Sequence, residues 1–221
     1  MTPANIIAMA NLKNLDLIAV TDHNSCRNCP SVMAYGREQG ILVIPGMELC
    51  TKEEVHILCL FACLEDAMNF DAYVYERLIK IENQEDIFGK QEIYDQNDRC
   101  VGTEPNLLIN ATGISFDELD NLMEKFHGIY IPAHIDKNSN SLLSNLGFIP
   151  QTSKFTWAEL KDITRLDELK RDNPYLNHCD IITNSDAHSL GLINEAVNQL
   201  TVKDRSIEGV WDVLQSYNSA L

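Results

Sequence analysis

Five short apolar runs limit what this chain can fold into more than any other feature of its sequence. Each run is rich in branched side chains and bounded by turn-forming residues, which is the pattern of a buried β-strand. They cover residues 15–20, 41–45, 55–61, 128–132 and 180–183. Amphipathic segments at 31–39 and 65–81 are predicted to be helical. Strands that alternate with helices predict an α/β fold with a mainly parallel sheet or barrel.

Two further segments begin with the pattern of a capping box, in which a hydroxyl and a carboxylate three residues later satisfy free N–H groups of the first helical turn. Ser115 and Glu118 precede apolar residues at helical spacing, so a helix is predicted there. Thr156 and Glu159 form the second pair, but residues 155–160 fit a strand equally well. Both interpretations of this second segment stay open.

The length and composition are those of a single globular domain. The chain has 221 residues, of which 45% are hydrophobic and 23% are charged, so it can bury a core of ordinary size. We expect one domain over residues 1–221. The polar segment 83–106 is predicted to be an insert, with two short strands around residues 96–98. This insert is a candidate lid.

The charge balance and the cysteines exclude several classes of protein. Seventeen Lys and Arg residues stand against 33 Asp and Glu, a net charge of −16 that disfavours binding to long nucleic acid. No apolar run approaches the roughly 18 residues of a membrane span, and the N-terminus lacks a secretory pattern, so we expect a cytoplasmic protein. The seven scattered cysteines are unlike a disulfide framework and are expected to be mostly reduced and buried.

Imidazoles and carboxylates occur at the ends of the predicted strands. In parallel α/β folds, reactive groups gather where strands end and loops begin. Imidazole together with carboxylate is the ligand mixture that suits Zn, Mn, Fe and related divalent ions. The sequence therefore predicts a metal site. The residues at these positions are Asp22, His23, Glu48, His56, His134, Asp186 and His188.

Other candidates have simpler explanations. His127 and His178 are interpreted as ordinary surface or helix-end histidines. Cys26 and Cys29 have the spacing of a redox or metal motif, but no second pair accompanies them, so we leave them out of the site. A competing hypothesis for the whole chain is an α/β domain whose histidines are incidental.

Five segments, taken together in their order and spacing, carry a family likeness. They are IAVTDHN at 18–24, IPGMELCT at 44–51, EVHILCLF at 54–61, IPAHIDK at 131–137 and IITNSDAH at 181–188. Over nearly the whole chain, this succession resembles the polymerase and histidinol phosphatase (PHP) family of metal-dependent phosphoesterases. The resemblance implies a distorted (β/α)7 barrel that holds up to three divalent ions at the C-terminal ends of its strands.

The family pattern also implies roles for individual residues. Glu48 would bridge two ions, and Asp22 would support the ligands. The implied metal ligands are His23, Glu48, His56, His134, Asp186 and His188. The implied catalytic residues are Asp22, His23, Glu48 and Asp186. Separately from the family pattern, Lys137 and Arg27 are basic residues near these motifs in the sequence and are therefore candidates for binding the substrate phosphate.

The chain departs from the family at its beginning. The family opens with a strand that ends in His-x-His, whereas the first histidine here is His23. We expect the barrel to lack its first strand. Either the chain is a fragment of a longer PHP protein, or it is a short form with an incomplete site.

The resemblance implies hydrolysis of a phosphoester by metal-activated water. Because the chain is strongly acidic, we expect a small phosphorylated substrate such as a phosphomonoester or nucleotide. Two alternatives are a catalytically incomplete module that binds metal or phosphate, and an exonuclease acting on short oligonucleotides.

Overall fold

The computed structural model describes residues 1–216. The strands are β1 (Leu17–Val20), β2 (Leu42–Cys50), β3 (His56–Phe61), β4 (Glu92–Tyr94), β5 (Cys100–Thr103), β6 (Gly128–Pro132), β7 (Trp157–Glu159) and β8 (Asp180–Ile182). The helices are α1 (Pro3–Leu12), α2 (Cys29–Gln39), α3 (Leu64–Arg77), α4 (Glu85–Phe88), α5 (Leu119–Lys125), α6 (Leu142–Leu146), α7 (Leu166–Asp172) and α8 (Ile207–Gln215). None of the described helices is long and apolar enough to cross a bilayer.

The main sheet has four strands in the order β1-β2-β3-β6, and its strand directions are mixed. β1 and β2 are parallel, whereas β3 is antiparallel to both β2 and β6. The expectation of a mainly parallel sheet is therefore wrong for this part of the chain. The physical reason is the short connection between β2 and β3, residues 51–55, because a parallel crossover needs about a dozen residues or more.

The remaining strands form two smaller sheets rather than closing a barrel. β7 and β8 are parallel, and β4 and β5 form an antiparallel hairpin. The N–H of Ile135, just beyond β6, donates to the carbonyl of Glu159 at 2.8 Å, which links the main sheet to β7. Among residues 1–216 the named strands form no closed barrel, so the structure supports the mixed α/β class and leaves the expected (β/α)7 closure unconfirmed.

The two faces of the main sheet have different partners. One face packs against α1, α2 and α3 in the larger hydrophobic core. On the other face, Ile44, Leu60 and Ile131 pack against Trp157 and the apolar side of α8. Side chains two apart on a strand share a face, so Glu48 of β2 lies on the same face as Ile44. The apolar cluster with α8 therefore occupies one part of the face that carries Glu48.

The ends of two predicted helices follow from local chemistry. α2 ends at Gly40, whose φ of +72° is readily adopted only by glycine, as the predicted stop requires. α3 ends at Arg77, four residues before the predicted end at 81. Leu78 is extended instead and forms an isolated bridge with Thr112, so pairing with a distant segment overrides the helical periodicity.

The two predicted capping boxes have different outcomes. Ser115 and Glu118 form the box, and α5 follows directly. At the second site the strand interpretation is correct, since Trp157–Glu159 pairs with β8 and Glu159 is buried. This strand places a carboxylate beside the candidate site, as described below.

The predicted insert contains the two expected short strands, β4 and β5. At its turn, the carboxylate of Asp98 accepts hydrogen bonds from the Thr2 hydroxyl at 2.7 Å and the Ala4 N–H at 3.0 Å. The Ser31 hydroxyl donates to the carbonyl of Tyr94 at 2.6 Å. The hairpin is thereby bonded to α1 and α2, which favours a fixed element over the expected lid.

The close contacts of Gly46 generate a first prediction. A Cβ at this position would lie 2.7 Å from the carbonyl oxygen of Cys59 and 2.8 Å from Leu60 Cδ2. We expect Gly46→Ala to lower the free energy of unfolding by about 1–3 kcal/mol, as overpacking does. Gly102→Ala is the control, because nothing lies within 4 Å of its added Cβ. Urea unfolding of both variants checks the prediction, and equal stabilities would contradict it.

The cysteines generate a second prediction. Cys63 and Cys100 are exposed, and the other five are buried, with none in a disulfide. Burial raises the pKa of Cys50 to about 12 and that of Cys179 to about 12, so their reactive thiolate forms are scarce at neutral pH. We expect Ellman's reagent to titrate two thiols rapidly in the native chain and seven after unfolding. Rapid reaction of more than two native thiols would contradict this placement.

Candidate metal centre

The centre of the candidate site is the buried carboxylate of Glu48, which three imidazoles approach. Its Oε1 lies 2.9 Å from His56 Nδ1 and 3.4 Å from His134 Nε2, and its Oε2 lies 3.7 Å from His23 Nδ1. One ligand atom from each of His23, Glu48 and His56 falls within 4.8 Å of the others, which is close enough to share an ion. The structure thus brings together four of the six predicted metal ligands.

The loop after β1 reaches this carboxylate because it stays paired with β2. The N–H of Glu48 donates to the carbonyl of Asp22 at 3.1 Å, and the N–H of Asn24 donates to the carbonyl of Glu48 at 3.0 Å. His23 lies between these two bonds, in a parallel bridge with Glu48. Continued pairing beyond the strand therefore fixes His23 beside Glu48.

The antiparallel direction of β3 brings His56 to the same edge. His56 is the first residue of β3 and pairs with Cys50, the last residue of β2. In a parallel strand the first residue would lie at the opposite edge. The tight turn between the strands thus places an imidazole at the carboxyl end of β2.

His134 reaches the centre through an unusual backbone conformation. It follows β6 and has a φ of +31°, and its side chain is 2% exposed. Non-glycine residues in the left-handed region are uncommon and persist where the surrounding structure holds them. Asp186, another predicted ligand, is also left-handed, with a φ of +49°.

The electrostatics favour an ionised Glu48 carboxylate and a neutral His23 imidazole. Burial alone would raise the pKa of Glu48, but its contacts with His134 and His56 hold the pKa well below its ordinary value. Burial lowers the pKa of His23, although the charge of Glu48 opposes that shift. Both ring nitrogens of His23 and Nδ1 of His134 are buried without a hydrogen-bond partner. Buried polar atoms are nearly always paired, so these nitrogens need a partner.

A second group of side chains faces the first. Asp186 Oδ2 accepts a hydrogen bond from Lys137 Nζ at 2.6 Å, and its Oδ1 lies 3.6 Å from His188 Nδ1. The rings of His188 and His23 are 5.7 Å apart, so the two groups adjoin. Together they enclose a cavity of about 120 Å³. Its walls are formed by His23, Glu48, His56, Ile109, His134, Lys137, Ser139, Asn140, Asp186 and His188.

Two predicted site residues lie outside this lining. Asp22 is exposed, and its carboxylate accepts a hydrogen bond from Asn28 at 3.1 Å. Arg27 forms ion pairs with Glu104 and Asp71 and covers a tyrosine ring. These contacts favour a structural role for Arg27 over the phosphate-binding role suggested by its position in the sequence.

Sequence reasoning missed Glu159 as a residue of the site. Its side chain is 3% exposed, and its carboxylate accepts hydrogen bonds from the His134 N–H at 3.1 Å and from Asn184 Nδ2 at 2.7 Å. Burial raises its pKa, against the lowering effect of these bonds. The signal that could have found it was the strand interpretation of residues 155–160, which places a carboxylate at a strand end.

Comparisons with known proteins identify the fold. Neither the protein-family models nor the curated proteins contain a match. Among solved structures, the lesion-specific endonuclease PfuEndoQ from Pyrococcus furiosus matches with a TM-score of 0.63 and 18% identity. Endonuclease Q bound to a 27-mer duplex substrate with an abasic lesion at its active site matches with a TM-score of 0.66 and 18% identity. Both matches cover 97% of this chain and 51% of the other chain.

A third structure matches over most of both chains. It is a protein from Bifidobacterium adolescentis assigned as a metal-dependent phosphoesterase, with a TM-score of 0.53 and 16% identity. The match covers 95% of this chain and 90% of that one. The chain thus spans about half the length of the endonuclease chains and nearly all of the phosphoesterase. At these identities the likeness concerns the fold, which this chain shares with Endonuclease Q and with the Bifidobacterium adolescentis protein.

Proposed function

We propose that this chain hydrolyses phosphoester bonds with the help of divalent metal ions. The observation that carries the proposal is the position of the Glu48 carboxylate among His23, His56 and His134. Ring nitrogens of His23 and His134 are buried there without a hydrogen-bond partner. A buried anion beside ring nitrogens that lack hydrogen bonds is costly and becomes favourable when a cation binds both. The fold shared with phosphoesterases supports the same conclusion.

The donor set fits a divalent transition ion. Imidazole nitrogen and carboxylate oxygen suit Zn, Mn or Fe, and Glu48 has two oxygens with which to serve more than one ion. Asp186 and His188 would hold a further ion on the other side of the cavity. When bound, such ions polarise the phosphoryl group and lower the pKa of water toward neutrality.

The chain's own residues would orient the substrate and balance its charge. Lys137 is the cationic side chain among the residues that line the cavity, and its ammonium group suits the oxygens of a phosphoryl group. Asp186 holds this ammonium at 2.6 Å, so it fixes the lysine at the edge of the cavity. His23, Glu48 and Asp186 remain our catalytic candidates. Asp22 would act only through the backbone of the loop that carries His23.

The volume of the cavity favours a substrate that presents a small group to it. A volume of about 120 Å³ leaves room for ions and a single phosphoryl group, with the rest of the substrate outside. The net charge of −16 repels a polyanion. We therefore favour a phosphomonoester or nucleotide.

A second candidate is cleavage of phosphodiesters in nucleic acid. It is favoured by the likeness to Endonuclease Q, which extends over 97% of this chain and includes a structure bound to duplex substrate. Such binding would have to be local, because the chain has 16 more acidic than basic side chains. A catalytically incomplete module that binds metal is the third candidate.

The metal site generates a third prediction. We expect the purified, metal-stripped chain to bind Mn²⁺ or Zn²⁺ in calorimetry and to gain about 2.7 kcal/mol of stability at 100 times the dissociation constant. His134→Ala and Glu48→Gln should lose most of this binding. His127→Ala is the control, because its side chain is 75% exposed and contacts Asp66, and neither residue lines the cavity. Unchanged binding in both site variants would refute the metal site.

The substrate class generates a fourth prediction. With Mn²⁺ present, we expect hydrolysis of 4-nitrophenyl phosphate and nucleoside monophosphates, with weak dependence on salt. A nuclease would instead cleave oligonucleotides, with a salt dependence that grows with strand length. Metal binding without hydrolysis of either class would favour the incomplete module.

A further inference from the structure

We propose that Glu159 is the positioning residue of the candidate site, because one buried carboxylate holds both loops whose ligands have left-handed backbones. The two ligands are His134, which follows β6, and Asp186, which follows β8. The inference rests on the proposed metal-dependent function, since it assigns Glu159 a role toward those ligands.

On the first loop, Glu159 makes two contacts with consecutive residues. Its side-chain Oε1 accepts the N–H of His134 at 3.1 Å, and its backbone carbonyl accepts the N–H of Ile135 at 2.8 Å. Two acceptors from one residue thereby fix the peptide groups on both sides of the His134 Cα. A φ of +31° is unfavourable for a side chain such as histidine, so this fixation maintains the direction of the ring.

On the second loop, the other carboxylate oxygen accepts a hydrogen bond from Asn184 Nδ2 at 2.7 Å. Asn184 lies two residues before Asp186. The loop is further tied by Lys161, whose ammonium donates to the carbonyl of Ser185 at 2.8 Å. These two hydrogen bonds fix the backbone directly before Asp186 and so help to maintain its left-handed conformation.

The carboxylate is suited to this role because both of its oxygens accept. Each loop presents an N–H donor, and a side chain with two acceptor atoms satisfies both at once. Glu159 lies at the end of β7, and pairing of β7 with β8 fixes the backbone of Glu159. Groups that orient metal ligands typically change metal affinity by roughly 10- to 100-fold when they are removed.

The test compares Glu159→Ala with the isosteric Glu159→Gln. Alanine removes both carboxylate oxygens and leaves only the backbone carbonyl bond to Ile135, so we expect Mn²⁺ affinity to fall roughly 10- to 100-fold. Glutamine keeps an oxygen for the His134 N–H, and its amide can donate to Asn184 when the Asn184 amide flips. We therefore expect it to restore affinity close to the wild-type value. If Glu159 bound the ion directly, glutamine would lose affinity as alanine does, which would overturn the proposal.

The matched control for Glu159→Ala is Glu104→Ala. Glu104 is also 3% exposed, but its partners are Arg27, Tyr75 and Asn106, away from the cavity lining. It reports what the loss of a buried carboxylate does to stability alone. A comparable loss of metal affinity in this control would overturn the positioning role.

A metal-free readout separates this inference from the proposed function. Hydrogen exchange of the apo chain should accelerate at residues 131–137 and 181–188 in Glu159→Ala and stay unchanged there in the control. If Glu159→Ala does not fold, Asn184→Ala removes one contact and should accelerate exchange only at 181–188. Absence of metal binding in the wild-type chain would refute the function. The positioning role would be refuted if the folded Glu159 or Asn184 variant exchanged these segments at the wild-type rate.

Discussion

The buried charge of Glu48 is the constraint on which the rest of the site depends. An ionised carboxylate in a protein interior is costly unless positive or polar partners surround it. Here the partners come from three different segments, and each reaches Glu48 by a different route. His23 arrives through parallel pairing that continues past β1, His56 through the hairpin from β2, and His134 through a left-handed residue after β6. The sheet, the turn and the left-handed residue together produce the contacts between Glu48 and the three imidazoles.

Much of this arrangement can be predicted from local sequence. The five apolar runs correspond to β1, β2, β3, β6 and β8, and of the seven imidazole and carboxylate residues predicted at their ends, all but Asp22 line one cavity. Local patterns suffice because strand burial and turn residues are short-range signals. The stop at Gly40 and the box at Ser115 follow from capping chemistry for the same reason. The six predicted metal ligands all line one cavity.

What the apolar pattern could not supply depends on the length of one connection and on distant partners. The direction of β3 is determined by the five-residue connection that precedes it, and the apolar pattern does not show how short that connection is. The prediction of a mainly parallel sheet was wrong for this reason. Leu78 leaves the helix because Thr112 offers a bridge 34 residues away. Glu159 looked like a capping residue because its partners, His134 and Asn184, are about 25 residues away on either side. At Leu78 and Glu159 the local pattern competes with long-range pairing, and the pairing determines the structure.

Under the proposed function, the net charge couples binding of the phosphorylated substrate to binding of the metal ions. With Glu48 and Asp186 in its wall and 16 excess negative charges on the chain, the cavity opposes a phosphate dianion. Lys137 is the cationic side chain in the lining, and Asp186 already neutralises it. The positive potential needed to hold a phosphoryl group must then come from bound divalent ions, which the same acidity attracts. An acidic protein with this cavity is therefore suited to binding metal ions first and phosphate second, because the bound ions supply the positive charge that attracts the phosphate.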